Sequence, residues 1–397
     1  MSALSYPAFR LYFAAAVPLV AALWAQRVTV GWLAWEASGS AAFVGLVAAA
    51  GLLPMWVSGP VFGVLVDRAD IRRALRWTTG SMAVLLAAAA LLESGPGLGR
   101  GPLVALSLLT GIVTSAHHPV RMSLAPRLVP AEGVASVVAI TALNFNLARL
   151  VAPVLTGLAL ATVGPVAALA AASALHLPMW AASWTLRPRA LPGAADRSPV
   201  LRGLRDGMAY AARNAAVREA LILTAVMAVA LRGSLELLPA VAAGVHGRGA
   251  EGLGWLTAAA GAGALTAAAA KAVVPGGGTG GAAAARVAIL AGMAALGGQA
   301  VAPSWVAALV STAVVGFAST FAGIGLQAAV QAELPDALRG RVMSLWVVVG
   351  MGAVAVGAGL IGLAAKLAGL PLALGAAGAL GAAALLAVLP WRGARTT

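Results

Sequence analysis

Four ionisable residues, Arg27, Arg149, Arg232 and Glu236, stand inside long apolar runs of this chain. A charged side chain at the centre of a bilayer costs about 2.5–3.5 kcal/mol on insertion scales, so one kept there marks a pathway, a pair or a hydrated vestibule. Glu236 follows Arg232 by four residues, which on a regular helix puts both on one face within pairing reach. Such a carboxylate could trade a proton for a substrate, and three cations at one depth would draw in an anion. Neutral hydrogen-bonding groups accompany them at Gln26, Asn144, Asn146, Gln299, Gln327 and Gln331. Arg27, Arg149 and Arg232 with Gln26, Asn146 and Gln327 are therefore the expected substrate-binding residues, and Glu236 the expected proton-coupling group. The competing reading has Arg232 and Glu236 merely neutralise each other while Arg27 and Arg149 support helix ends.

The elements that must position these groups are helices in a membrane. The chain has 397 residues, 61% hydrophobic and 10% charged, with mean hydropathy +0.95, a composition that excludes a soluble globular domain. A span needs roughly 20 apolar residues, and the runs are continuous rather than alternating as a barrel would require. Twelve helices are expected, at about 11–35, 42–65, 76–93, 101–120, 134–162, 164–186, 219–245, 252–273, 284–301, 304–328, 342–365 and 370–390. At about 1.5 Å per residue, Arg27, Arg149 and Arg232 then fall at matching depths, past the bilayer midpoint.

The formal charge of +14 is distributed by topology. Twenty basic residues fall on the side of the two termini and three, Arg100, Arg248 and Lys366, on the other. That bias places both termini in the cytoplasm and leaves no case for nucleic-acid binding. The longest polar stretch, 187–218, divides the chain into 1–186 and 219–397. From Ser198 its Leu201, Leu204 and Met208 recur at helical spacing against Arg202 and Arg205, either a helix lying on the membrane surface or a solvated linker. His117 and His118 close a helix and read as solvated or capping groups, while Trp35, Trp77, Trp184, Trp305 and Trp391 read as interfacial anchors.

The stretch "GVLVDRADIRRAL" concentrates charge after an uncharged run, with Gly63, Asp67, Arg68, Arg72 and Arg73 at fixed offsets. It resembles the loop between helices 2 and 3 of the major facilitator superfamily. "QRVTVGWLAWEASGSAAFVGLV", "FNLARLVAPVLTG" and "LPDALRGRVMS" look like the branch of drug and natural-product exporters that includes the enterobactin exporters. The likeness covers nearly the whole chain. It implies an all-α fold of twelve transmembrane helices in two pseudo-symmetric six-helix bundles, in which the five named residues form a cytoplasmic latch between the halves. Ile71, Ala152 and Thr156 depart from the branch pattern, and "KAVVPGGGTGGAAAAR" carries no matching aspartate, so the latch is one-sided.

The glycines Gly350, Gly352, Gly357, Gly359 and Gly362, and the face bearing Pro153 and Gly157, suit close helix contact. No nucleotide-binding or metal-site spacing occurs and there is no cysteine. The resemblance thus implies no cofactor and no enzyme activity, but a monomeric proton-coupled exporter of a small amphipathic or anionic molecule in a bacterial inner membrane. A lipid or lysolipid flippase, or a membrane sensor that moves nothing, are the other readings.

Overall fold

The computed structural model describes residues 2–68, 70–189, 200–273, 279–300 and 304–388, and the architecture there is helical. The helices are α1 (Pro7–Glu36), α2 (Ala41–Arg68), α3 (Ile71–Ser94), α4 (Arg100–Leu124), α5 (Val134–Ala174), α6 (Leu177–Thr185), α7 (Val200–Arg213) and α8 (Ala215–Met227), and then the short turns α9 (Gly233–Leu235) and α10 (Leu238–Ala240). After these come α11 (Ala250–Val273), α12 (Thr279–Ala300), α13 (Trp305–Glu333), α14 (Asp336–Ala368) and α15 (Leu370–Val388). Among the described residues ten helices are long and apolar enough to cross a membrane. An eleventh joins them if Gly207–Arg213 and Ala215–Leu235, bent by 107°, count as one span, and Ala283–Gln299 is a shorter apolar helix.

Most expected boundaries lie within a few residues of these, and the differences have local causes. α3 begins at Ile71 rather than near 76 because Asp70 caps it, its carboxylate accepting from the N–H groups of Arg72 at 2.9 Å and Arg73 at 3.4 Å. α5 is two legs that reverse at Gly164, whose φ of +79° is open to glycine at little cost, with Pro165 starting the second leg. The expected helix at 219–245 is broken: two π turns, Ala228–Arg232 and Val241–Val245, flank α9 and α10. Pro239 cannot donate to an α-helical ladder, and the chain is interrupted at Leu237 just before α10.

The helix in the central polar stretch forms at Val200–Arg213, and it is docked on protein. Tyr210 donates to the carbonyl of Glu333 at 2.9 Å, and Asn214 caps α8 by accepting from the Val217 N–H at 3.0 Å. Buried polar side chains tie other helices. Asn144 donates to the carbonyl of Ala16 at 3.2 Å, joining α5 to α1, and Ser107 donates to that of Val47 at 2.6 Å, joining α4 to α2. Gln299 donates to Thr312 at 2.8 Å, joining α12 to α13. Asn144 and Gln299 therefore hold helices together instead of lining a cavity. His117 is buried beside Thr78, its Nδ1 3.0 Å from the hydroxyl, so it is not the solvated group expected, whereas His118 is exposed.

Candidate functional site

Call the side at which α1 begins the near face and the side at which it ends the far face. Toward the far face, residues 27, 31 and 35 of α1, one helical turn apart, meet the broken segment in three rungs. Arg27 is ion-paired with Glu236. A Cβ on Gly31 would lie 3.2 Å from the Pro239 ring, and one on Gly244 would lie 2.6 Å from the Trp35 indole. At Gly244 the indole occupies the space a side chain would take, and at Gly31 a side chain would be tight against the proline ring.

Two further contacts close the same face. On α5, Pro153 lacks the N–H that would bond the Arg149 carbonyl four residues earlier. Gly261 of α11 lies against that carbonyl, where a Cβ would stand 2.8 Å from the oxygen, and Gly254 lies against Pro153 and Gly157. On α14, Gly362 packs against Ala41 and Gly45 at the start of α2, and Gly352 against Trp56. Gly357 packs against the carbonyl of Val229 in the first π turn, while Gly359 faces open space. The small residues thus bring the first and second halves of the chain into backbone contact.

Beneath the rungs lies a basic cluster. The guanidiniums of Arg27 and Arg149 each stand 5.7 Å from the Trp24 ring centroid, and that ring meets the ring of Phe145 at 5.8 Å. Arg27 and Arg149 thus share one indole, and Arg27 and Arg232 both lie near enough for their charge to act on Arg149. The Arg27 side chain is 48% exposed and that of Glu236 only 8%. The cation is accessible and the carboxylate is covered. Trp24 Nε1, a donor on the ring beside the guanidiniums, and Gln26 Oε1, an acceptor, are buried without a hydrogen-bond partner among the described residues.

The expected pairing of Arg232 with Glu236 is replaced by the Arg27–Glu236 pair. Glu236 and Leu237 bond back three residues, to the carbonyls of Gly233 at 3.2 Å and Ser234 at 3.0 Å, and Arg232 ends a π turn. The regular spacing behind the four-residue rule is therefore lost. Arg232 turns instead to α13, its Nη2 3.5 Å from the Ser319 carbonyl, in space left by Gly323. Asn146 donates to its own helix at the Ala142 carbonyl, 2.9 Å away. Gln327 is exposed on α13, and no described contact joins it to the arginines.

Of the expected latch, the side chains of Gly63, Asp67 and Arg68 lie outside the described residues. Arg72 and the exposed Arg73 begin α3 beside Asp70, with Arg72 Nε 3.8 Å from its carboxylate. Desolvation at the helix end pushes the Asp70 carboxyl up. The Arg72 and Arg73 N–H groups and guanidinium charges outweigh it and hold the group below its ordinary value. Trp77 and Trp184 are exposed as anchors should be, whereas Trp35 and Trp305 are partly buried, Trp305 under the Arg248 guanidinium at 5.3 Å. Trp391 lies outside the described residues.

Comparison with known proteins fixes the family. The family model described as transmembrane secretion effector matches residues 1–393. The chain belongs to this major facilitator family. Among curated relatives, the enterobactin exporter EntS of Shigella boydii serotype 4 (strain Sb227) is 26% identical over 379 residues, covering 90% of this chain and 85% of that protein. EntS of Escherichia coli O127:H6 is 27% identical over the same length, with the same coverage. Of solved structures, the nucleoside transporter NupG superposes with a TM-score of 0.74 at 14% identity, covering 96% of this chain and 98% of that one. A bacterial homologue of the human lysosomal transporter Spinster, in an inward-facing and unoccupied conformation, gives 0.67 at 14% identity, covering 96% and 94%. This member of the superfamily is an integral membrane transporter and not an enzyme.

Proposed function

We propose that this transporter exports a small anionic or amphipathic molecule in exchange for protons, by alternating access between two six-helix bundles, 1–186 and 219–397, within twelve transmembrane helices. The near face is cytoplasmic, as the basic excess requires, the membrane is a bacterial inner membrane, and the working unit is a monomer. The observation that carries the reading is the Arg27–Glu236 pair, which joins the two halves of the chain beside Arg149. Far-face contacts at Gly31, Gly157, Gly244 and Gly362 support a form closed on that side and reached from the cytoplasm.

In this reading an anion enters from the cytoplasm and meets Arg149 and the exposed side of Arg27, with the Trp24 ring as a flat apolar wall and its N–H as a donor. The anion competes with Glu236 for Arg27. A carboxylate stripped of its cation in a low-dielectric site is costly as a charge and is neutralised by a proton. The anion's competition releases the innermost rung and the far face opens. Glu236 takes its proton there, from the far side, as substrate leaves, and gives it up to the cytoplasm when the protein returns and the Arg27–Glu236 pair re-forms. Gln26, Asn146, Arg232 and Gln327 complete the proposed substrate contacts, and Gly63, Asp67, Arg68, Arg72 and Arg73 the opposing cytoplasmic latch. The EntS relatives, named as enterobactin exporters, support export of a small molecule.

The test is flux into proteoliposomes driven by a pH step, with anionic and cationic amphiphiles matched in size. Anions should be preferred, and Arg149→Gln should reduce anion flux roughly ten- to hundredfold, the loss of one charged hydrogen bond of roughly 1.5–3 kcal/mol. Preference for cations, undiminished by Arg149→Gln, refutes the reading.

A further inference from the structure

The outer wall of the first half carries a second feature, remote from the arginine cluster: a groove of about 1120 Å³ between α3, α4 and α6. Its walls are apolar and outward-facing, with Val84 of α3, Leu109 of α4 and Leu177 of α6 all exposed. Three tryptophans shape it, and Trp77 is 75% and Trp184 59% exposed. Trp180 meets Trp184 edge to face at 6.0 Å, and it presses close to α3 only because Gly80 is bare, a Cβ there lying 3.2 Å from the indole. At its near-face end lie Arg73 and Arg76, with the Arg76 guanidinium 4.1 Å from the Trp184 ring centroid.

The charge at that end is not neutralised locally. Asp70 is engaged by Arg72 and by the N–H of Arg73, and no described carboxylate pairs with Arg76. Along α3 the groove runs from Arg73 to Leu85, about 18 Å at 1.5 Å per residue, close to the roughly 15 Å of one leaflet's hydrocarbon. Aromatic residues around a cation at headgroup depth, above an apolar trough one leaflet deep, match the shape and charge of a phospholipid. A partner helix fits less well, since close helix contact needs small residues where these walls present indoles.

We propose that this groove is a binding site for an anionic phospholipid of the near-face leaflet, its phosphate held by Arg76 and Arg73 and an acyl chain lying against Trp180 and Leu109. The stacked Trp184 ring fixes the Arg76 guanidinium at headgroup level, so recognition depends on charge, while the trough accepts any chain.

Quenching of tryptophan fluorescence by brominated lipid in nanodiscs tests it on the full chain. Brominated phosphatidylglycerol should half-quench the groove component at about one-fifth of the mole fraction needed with brominated phosphatidylcholine, the effect of roughly one basic side chain at the surface. Trp184→Phe should remove much of that component. Arg76→Gln should bring the ratio of the two lipids toward one, with Arg73→Gln as an independent second variant, while Arg100→Gln on the far face should leave it unchanged. Equal quenching by the two lipids in the parent overturns the proposal, as does a phosphatidylglycerol preference that survives both Arg76→Gln and Arg73→Gln.

Discussion

Removing either member of the Arg27–Glu236 pair should have unequal effects, and the inequality follows from where each group lies. Breaking a fully buried ion pair by deleting one partner costs about 3–5 kcal/mol, whereas fully exposed pairs are worth about 0.2–1 kcal/mol. This pair falls between those limits, with the Glu236 side chain 8% exposed and that of Arg27 48%. Arg27→Gln leaves a buried carboxylate without its cation and should cost about 2–3 kcal/mol. Glu236→Gln leaves a half-exposed guanidinium rather than a buried charge and should cost about 1 kcal/mol. The coupling energy of the double-mutant cycle should be about 1–2 kcal/mol, above the 0.3–0.5 kcal/mol within which independent sites add. Unfolding free energies in mixed micelles titrated with a denaturing detergent give all four corners of the cycle. Additive effects, or a larger cost for Glu236→Gln than for Arg27→Gln, would refute the reasoning.

Asp70→Ala should destabilise by about 1 kcal/mol through loss of the α3 cap, and Asp70→Asn by less because the amide oxygen still accepts. Since the folded carboxyl is held below its ordinary value, its contribution is full above the unfolded value near pH 4 and is lost as pH falls through the folded one. An acid titration of stability in which Asp70→Ala changes the pH dependence not at all would contradict this. Gly254→Leu forces a side chain into the Pro153 carbonyl, where even a Cβ would stand at 2.7 Å. It should cost about 1–3 kcal/mol and raise labelling of a single cysteine placed at Gly247, and unchanged labelling counts against closure of the far face by this contact.

The helices were legible because apolar runs of membrane-spanning length leave little choice, and even the reversal at Gly164 is visible as a glycine followed by Pro165. That Arg27 and Arg149 stand beside one another at Trp24 agrees with their expected depths, since depth along a helix depends only on residue count. Pairing was not legible in this way, because it depends on rotation about the helix axis. The Arg232 and Glu236 spacing assumed a regular helix, yet Gly233 and Pro239 sit beside them in the sequence as warnings of a break. Trp24 went unremarked, although its position three residues before Arg27 is the helical spacing for stacking. Asp70 was overshadowed by Asp67, although an aspartate directly before Ile71-Arg72-Arg73 is a helix-start signal.

The π turn at Ala228–Arg232 has a consequence for how this protein can vary. A π turn holds more residues than the α turn it replaces, so the direction in which Arg232 and Glu236 point is set by the length of the segment as much as by its composition. Substituting residues within it leaves the count, and hence the partners, as they are. Losing a single residue from it would rotate Arg232 and Glu236 together, by about 100°, and carry Glu236 away from Arg27, undoing the bond between the two halves. For this gate the mutation that matters most is an insertion or a deletion, a change that a scan of substitutions never samples.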